Sequence, residues 1–480
     1  MIPSYIDLVR ILPEVVLVAF GLLVMLAEPF LPRGQKSLLG PLALVGTLLA
    51  LAATAVQAGY PGHAFSRLVV NDGFSVFFHF VLLTITALTI LASLRYLERE
   101  NINHAEYYAL LLFGTVGMGL MVSANELVLV FLGLETSSIA TYVLIGFRRT
   151  DARSSESSMK YFLLGSFATA FLLYGIALLF GATGTTFLPE IARQLQATGV
   201  GAPLALMGMA LVFVGLGFKV ASAPFQVWTP DVYEGAPTPI TAFLSAGPKA
   251  AAFAAFLRIF FTALEPAQET WFWVLWVSAL LTMFVGNLGA LVQTNIKRML
   301  AYSSIAHAGY ILVAFAAGTE LGIAAVLFYL VAYALMKLGA FSIVSHISAG
   351  ERNQEIDDYA GLHARQPWLA ACLTLFMLSL IGIPLTGGFL GKFYIFTAGV
   401  HANLLWLVIL GVVNSVLSVA YYLRVVKVMY MNEPRGELAV APVPASLAFV
   451  LTLTALGTVY LGVLPGPIFT AASRAVFPLP

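Results

Sequence analysis

The apolar positions of this chain come in long runs, one after another, broken by short polar segments. Fourteen such runs can be marked: Ile11–Leu31, Leu38–Val56, Gly73–Tyr96, Tyr107–Ser123, Leu127–Phe147, Met159–Phe180, Pro203–Trp228, Pro239–Leu264, Trp271–Val292, Met299–Ala317, Gly322–His346, Leu369–Thr397, Leu404–Met431 and Val443–Leu464. Most are near the ~20 residues a helix needs to cross a bilayer. Tyr107–Ser123 is slightly short, and Pro203–Trp228 and Leu369–Thr397 are long. Ile11–Leu31 is too long for a signal peptide's apolar core and lacks a small-residue cleavage site, so it reads as a retained span. The pattern predicts an all-α polytopic membrane protein with about fourteen transmembrane helices, a single transmembrane domain over residues 1–480. Ala349–Gln366, the longest polar stretch, is too short to fold alone.

Composition sharpens this picture. Of the 480 residues 60% are hydrophobic and 10% charged, against roughly 25% charged in a soluble domain. The mean hydropathy is +0.93. The basic residues set an orientation. Arg33, Lys36, Arg95, Arg99, Arg148, Arg149, Arg153, Lys160, Lys297, Arg298, Arg352, Arg365, Arg424, Lys427 and Arg435 fall in loops on one side. Arg10, Arg67, Arg193, Arg258 and Arg474 fall on the other. By the positive-inside rule the first set is cytoplasmic and both termini lie outside. A net charge of +1 without a basic run leaves no footprint for nucleic acid.

Two segments echo each other. Ser137-Ser138-Ile139-Ala140 followed by Tyr142 resembles Ser303-Ser304-Ile305-Ala306 followed by Tyr310, and the two long spans carry internal prolines, Pro224 and Pro384, at a similar offset. Chance likeness between apolar helices is the alternative reading. Taken together, the echoes predict a five-helix unit used twice, at about 106–264 and about 271–431, with three N-terminal helices and one C-terminal helix peripheral. An odd helix number turns the second copy upside down, the inverted-repeat logic of ion-coupled transporters. Proline removes a backbone donor, so Pro224 and Pro384 predict broken seventh and twelfth helices, where the freed backbone must find protein or water. A plain proline kink is the bland alternative.

Charges deep in apolar sequence are the candidate chemistry: Glu135, Lys219, Lys249, Lys337 and Lys392. Each such group at mid-bilayer costs roughly 2.5–3.5 kcal/mol on insertion scales. They must therefore face each other, a partner or water. Glu135 with Lys219 is the simplest pairing, either a structural ion pair or a proton switch in which the carboxylate tunes the amine. Lys249, Lys337 and Lys392 have no equally deep carboxylate and read as proton carriers, although Lys392 could also snorkel. Ser245, Ser303, Ser304, His307, Tyr310, Tyr329 and Tyr333 are available as relay groups. His307 is either a relay or a hydrogen-bonded core histidine, and His79 reads as the latter. Glu14 and Glu28, near span ends, read as interfacial. The one cysteine, Cys372, cannot build an iron–sulfur, cysteine–zinc or disulfide site. The seven histidines show no ligand spacing, so no metal site and no cofactor-binding residue is expected in this chain.

These residues carry a resemblance. Phe131-Leu132-Gly133-Leu134-Glu135, the run Lys219 to Pro237, Gln293 to His307 and Pro384-Leu385-Thr386-Gly387-Gly388-Phe389 resemble the antiporter-like membrane subunits of bacterial respiratory complex I and the related Mrp-type cation/proton antiporters. The resemblance implies that Glu135 and Lys219 form the charge pair, Lys249 is the central proton carrier and Lys392 serves the second repeat, with Lys337 and His307 on the connecting axis. It implies sister antiporter-like membrane subunits alongside, and a peripheral redox arm that holds flavin and iron–sulfur clusters and takes NADH and quinone as substrates. No long amphipathic helix follows the fourteenth span, which argues against the largest subunit of this type. The expected function is that of a non-redox, proton-translocating subunit of an NADH:quinone oxidoreductase in the bacterial inner membrane, driven by its neighbours. A secondary sodium or potassium antiporter of the Mrp type is the alternative. Lysines repel sodium, which favours protons; a passive scaffold leaves the cost of the buried charges unexplained.

Overall fold

The structure, a computed structural model, describes residues 4–352, 354–434 and 441–477. Arg435, one of the orientation-setting arginines, lies outside these residues. The chain enters through a short helix α1 (Tyr5–Arg10), followed by α2 (Leu12–Ala27) and α3 (Leu39–Gln57). A small antiparallel hairpin, β1 (Gly62–Ala64) and β2 (Val69–Asn71) with Gly62 opposite Asn71, leads to α4 (Gly73–Arg99). There follow α5 (Ala105–Ser123), α6 (Leu127–Ile145), α7 (Ala152–Thr183), α8 (Leu188–Thr198), α9 (Pro203–Val220), α10 (Thr229–Gly235) and α11 (Thr238–Arg258). The second half comprises α12 (Gln268–Leu291), α13 (Ile296–Ala316), α14 (Glu320–Ile347), α15 (Leu362–Arg365), α16 (Pro367–Ile381), α17 (Gly387–His401), α18 (Leu405–Met431), α19 (Ala445–Val463) and α20 (Gly466–Ala475).

Among the described residues thirteen helices are long and apolar enough to cross a membrane. The run read as a twelfth span is not one helix; it is α16 and α17, fifteen residues each. Local chemistry fixes the helix ends. Asp72 accepts from the backbone of Ser75 at 2.8 Å to start α4, and Asn295 accepts from Arg298 at 3.1 Å to start α13. Such caps satisfy amide groups that a helix leaves unpaired. Where helices meet, small residues bring backbones together: a Cβ on Gly117 of α5 would sit 2.6 Å from the carbonyl oxygen of Gly133 on α6, the close approach expected of helices packed in lipid.

Burial grades from centre to edge. α11, α13 and α14 are almost wholly buried, whereas α2, α7, α18 and α19 turn one face outward. That outward belt is large and apolar, including Phe167, Trp273, Val416 and Leu456, as a bilayer requires. The three central helices carry Lys249, Ser303, Ser304, His307 and Lys337. The most buried part of the fold is thus also its most chemically equipped.

Members of both basic sets meet carboxylates. On one side Lys160 and Arg298 share Asp231 at 2.9 and 2.6 Å, and Arg148 meets Glu100 at 3.6 Å. On the other, Arg258 meets Asp72 at 2.9 Å and Arg67 meets Glu190 at 2.5 Å.

Candidate functional site

The two helix breaks are built differently. α9 ends at Val220, with Ala221 in the left-handed region at φ 60° and Pro224 in the irregular segment beyond it. Its freed carbonyls find neutral donors: Trp228 Nε1 donates to Phe218 at 3.0 Å, and Ser222 N to Gly217 at 2.9 Å. Lys219, in the last turn of α9, is therefore released to face α6. In the second break α16 ends at Ile381 and Pro384 lies in the turn before α17. Here Lys392 itself caps the carbonyls of Leu380 and Ile381, at 3.0 and 2.8 Å, and donates to Ser415 Oγ at 2.9 Å. An ammonium at the carbonyl end of a helix is favoured by the helix dipole as well as by the unpaired oxygens.

Lys219 is not in direct contact with Glu135; among the described residues no ion pair within 4 Å joins them. The ammonium donates instead to Ser138 Oγ at 2.8 Å, one turn along α6 from Glu135. It stands over the rings of Tyr142 at 5.5 Å and Tyr161 at 5.2 Å, so aromatic faces supply part of its stabilisation. Glu135 keeps one buried carboxylate oxygen without a partner. The pair expected from sequence is thus not a direct ion pair: Lys219 meets α6 at Ser138, whose own hydroxyl donates to the Leu134 carbonyl.

The central lysines form a network. Lys249 Nζ donates to Ser304 Oγ at 2.5 Å and to its carbonyl at 2.9 Å, and Tyr333 donates to the same hydroxyl at 2.7 Å. Lys337 Nζ donates to Ser303 Oγ at 2.9 Å and to the Leu300 carbonyl at 2.8 Å. Tyr333 presents its ring to both ammonium groups, 5.9 Å from Lys249 and 5.7 Å from Lys337. Ser303 bonds the Tyr422 hydroxyl, which lies 3.1 Å from His307 Nε2, and His307 Nδ1 bonds the Tyr329 hydroxyl. A hydroxyl can both donate and accept, and a neutral imidazole can do one at each nitrogen; Ser304 Oγ accepts from both Lys249 and Tyr333. Tyr310 closes the sequence, its ring centre 5.6 Å from that of His307 and 4.6 Å from Lys392 Nζ. Beside Lys392, Ser415 and Phe396 opens a cavity of about 550 Å³.

The structure thus brings together Lys249, Lys337, His307, Ser303, Ser304, Tyr310, Tyr329 and Tyr333, with Lys392 against the same tyrosine. It leaves Glu135 and Lys219 as a separate group, since no hydrogen bond among the described residues joins Lys219 to Lys249. Ser245 takes no part; its hydroxyl bonds back to Ala242 at 2.8 Å. Glu14 and Glu28, read from sequence as interfacial, both have partners. Glu14 is buried against His79 at 2.6 Å. Glu28 is engaged by Lys36 at 2.5 Å and by the backbone of Ala105 at 2.8 Å.

Some participants were missed in the sequence. Tyr422 bridges Ser303 and His307, and Asn287 ties Tyr310, Asn414 and Tyr421 at 3.2, 3.1 and 3.0 Å. Amides and paired tyrosines deep in apolar spans were the available signal. Glu351, in the loop after α14, gave none. Its side chain is only 8% exposed and accepts from Tyr96 at 2.6 Å, Lys297 at 3.0 Å and the Thr238 backbone at 3.0 Å. Burial works against its charge, but Lys297 and these hydrogen bonds outweigh it and hold the carboxyl below its ordinary range.

Residues 124–418 match the family model described as NADH:quinone oxidoreductase/Mrp antiporter, TM. The chain belongs to this family. A relative from Solibacter usitatus (strain Ellin6076), NADH-quinone oxidoreductase subunit N 1, is 51% identical over 98% of this chain and 97% of its own. Among solved structures, a chain of respiratory complex I from Thermus thermophilus with bound aureothin superposes with a TM-score of 0.82 at 34% identity, over 96% of this chain and 99% of that one. A chain of the Mrp complex from Dietzia sp. DQ12-45-1b shares the fold, with a TM-score of 0.86 at 21% identity over 98% and 97% of the two chains. The matched residues of the NADH:quinone oxidoreductase/Mrp antiporter family run from the cap of α6 into α18. They include Lys219, Lys249, Lys337 and Lys392.

Proposed function

We propose that this chain is the subunit N type of an NADH:quinone oxidoreductase and that it moves protons across the membrane without doing redox chemistry itself. The observation that carries the reading is the buried network Lys249–Ser304–Tyr333 and Lys337–Ser303–Tyr422–His307–Tyr329. A charge in lipid is tolerated where it does work, and this line of exchangeable hydrogens is suited to passing a proton between amines. Lys249 is the central carrier, Lys337 and His307 extend the line, and Lys392 serves its end beside the cavity. Glu135 and Lys219, on facing helices, form the switch of the first unit.

The two units are inferred at about 106–264 and about 271–431, inverted with respect to each other. Their broken helices and lysines at each break support this. The basic cluster around Asp231 is assigned to the cytoplasmic side, which places both termini outside in a bacterial inner membrane. Moving a charge against the membrane potential takes about 2.3 kcal/mol per 100 mV. The drive is assigned to sister membrane subunits and to a peripheral arm carrying flavin and iron–sulfur clusters. Exchange of sodium for protons is the rival; a line of lysines offers a sodium ion few oxygen ligands and much repulsion.

Affinity purification of the tagged chain from its native membrane tests the assignment. Co-purification with flavin- and iron–sulfur-bearing subunits is expected. Isolation only with cation-antiporter subunits, with robust sodium–proton exchange in liposomes, would overturn it.

A further inference from the structure

A second pair of titratable side chains is buried away from the lysines. Glu14 stands in the first turn of α2 and His79 in the second turn of α4. Glu14 Oε1 lies 2.6 Å from His79 Nε2, and the side chains are 7% and 4% exposed. His79 Nδ1 lies 2.7 Å from the Ser75 carbonyl oxygen. A carbonyl can only accept, so Nδ1 carries a hydrogen and donates. One proton is then left for the gap between Nε2 and Oε1: with it on the imidazole the pair is ionic, and with it on the carboxyl the pair is neutral. The other carboxylate oxygen, Oε2, is buried without a partner, whereas a permanently ionised buried carboxylate calls for donors at both oxygens. Space for the pair is kept by Gly119 of α5. A Cβ there would fall 2.7 Å from Glu14 Oε1 and 3.1 Å from His79 Nε2.

We propose that Glu14 and His79 form a proton-binding dyad, separate from the lysine network, that exchanges one proton with the aqueous edge marked by Asp72. Release of the shared proton to water leaves a lone pair facing a carboxylate; uptake of a second gives an imidazolium facing a carboxylic acid. Asp72 stands two turns from His79, linked through Ser75, whose backbone N–H it accepts at 2.8 Å and whose carbonyl holds the imidazole. The charged neighbours are accounted for. Arg258 of α11 is held by Asp72 at 2.9 Å, and Arg10 of α1 by the carbonyls of Tyr60 and Pro61 at 3.0 and 2.7 Å. On α1, Asp7 caps its own helix. α3 carries no charged side chain, and Glu106, Tyr107 and Tyr108 of α5 lie at the end of that helix remote from Gly119. Glu28, just after α2, faces Lys36. Lys249 of α11 and Tyr329, Tyr333 and Lys337 of α14 belong to the central network, while Glu320 and His346 lie at the ends of α14. α19 brings Tyr460, and α20 brings Arg474. No hydrogen bond among the described residues joins the dyad to the lysines, so the proposal stands independently of their role.

Infrared difference spectra of the whole complex in membranes, stepped between about pH 5 and about pH 9, test it directly. A carboxyl and an imidazole band are expected to change together at one midpoint; in Glu14→Gln the carboxyl band is expected to vanish and the imidazole band to move off that midpoint. In His79→Gln the remaining carboxyl is expected to titrate at least one pH unit away from the wild-type midpoint, a tenfold change in proton affinity. Gly119→Ala keeps both groups while forcing them apart, and is expected to move the same midpoint. Should Glu14→Gln fail to assemble, the other two variants carry the test. Spectra that match wild type at every pH in His79→Gln and Gly119→Ala would show a pair that never exchanges its proton, and the proposal fails.

Discussion

Lys249 and Lys219 are held by neutral oxygens and aromatic faces rather than by direct carboxylates, and this determines what their variants should do. Lys219→Ala in the assembled complex is expected to preserve assembly and lower coupled proton transfer several-fold in sealed vesicles. Glu135→Gln is expected to behave similarly. Because Glu135 and Lys219 act through the shared turn of α6, the double variant is expected to be less than additive. Additive losses would place the two residues in separate roles. Tyr422→Phe removes the hydroxyl between Ser303 and His307. It is expected to slow proton transfer, and to add little in a His307→Ala background, measured as initial pumping rates of the single and double variants. Sequence alone pointed to the lysines, because charge in an apolar run is conspicuous. It did not reveal Tyr422 or Ser138, since a hydroxyl's partner depends on which helices meet.

Among the elements, the breaks and the loop carboxylate matter most. The prolines marked where the long spans fail, but not how their loose carbonyls are satisfied: by Trp228 and Ser222 in one case, by Lys392 in the other. That difference depends on side chains from distant positions and has no local signature. Gly388 packs so tightly on the end of α16 that an added Cβ would fall 1.9 Å from the Ser379 carbonyl oxygen. Gly388→Ala is therefore expected to push α17 and Lys392 away and to reduce both assembly and pumping. Glu351 ties α4, α11 and α13 to the loop after α14. Its carboxyl is held below its ordinary range, so its stabilisation is present above the unfolded value near about pH 4.3 and is lost as pH falls through the lower folded value. Thermal unfolding of the purified complex is expected to lose this acid-side slope in Glu351→Gln. Glu351→Ala, which strands Lys297, is expected to cost about 3 kcal/mol.

For the whole molecule, the apolar runs made the membrane class and most of the helices legible, since bilayer thickness dictates their length. The hairpin, the short helices α8 and α20, and the division of the twelfth run were not legible, because short elements are fixed by what they pack against. The central placement of α11, α13 and α14 gathers scattered lysines into two adjoining hydrogen-bonded chains, Lys249–Ser304–Tyr333 and Lys337–Ser303–Tyr422–His307–Tyr329, and nothing in the order of the sequence announces that. The account rests on these chains carrying protons. The decisive measurement is proton translocation per NADH oxidised by the assembled complex in sealed vesicles, Lys249→Ala against wild type. A several-fold fall with subunit composition intact is predicted; unchanged translocation in Lys249→Ala, with Lys219→Ala equally unaffected, would contradict it.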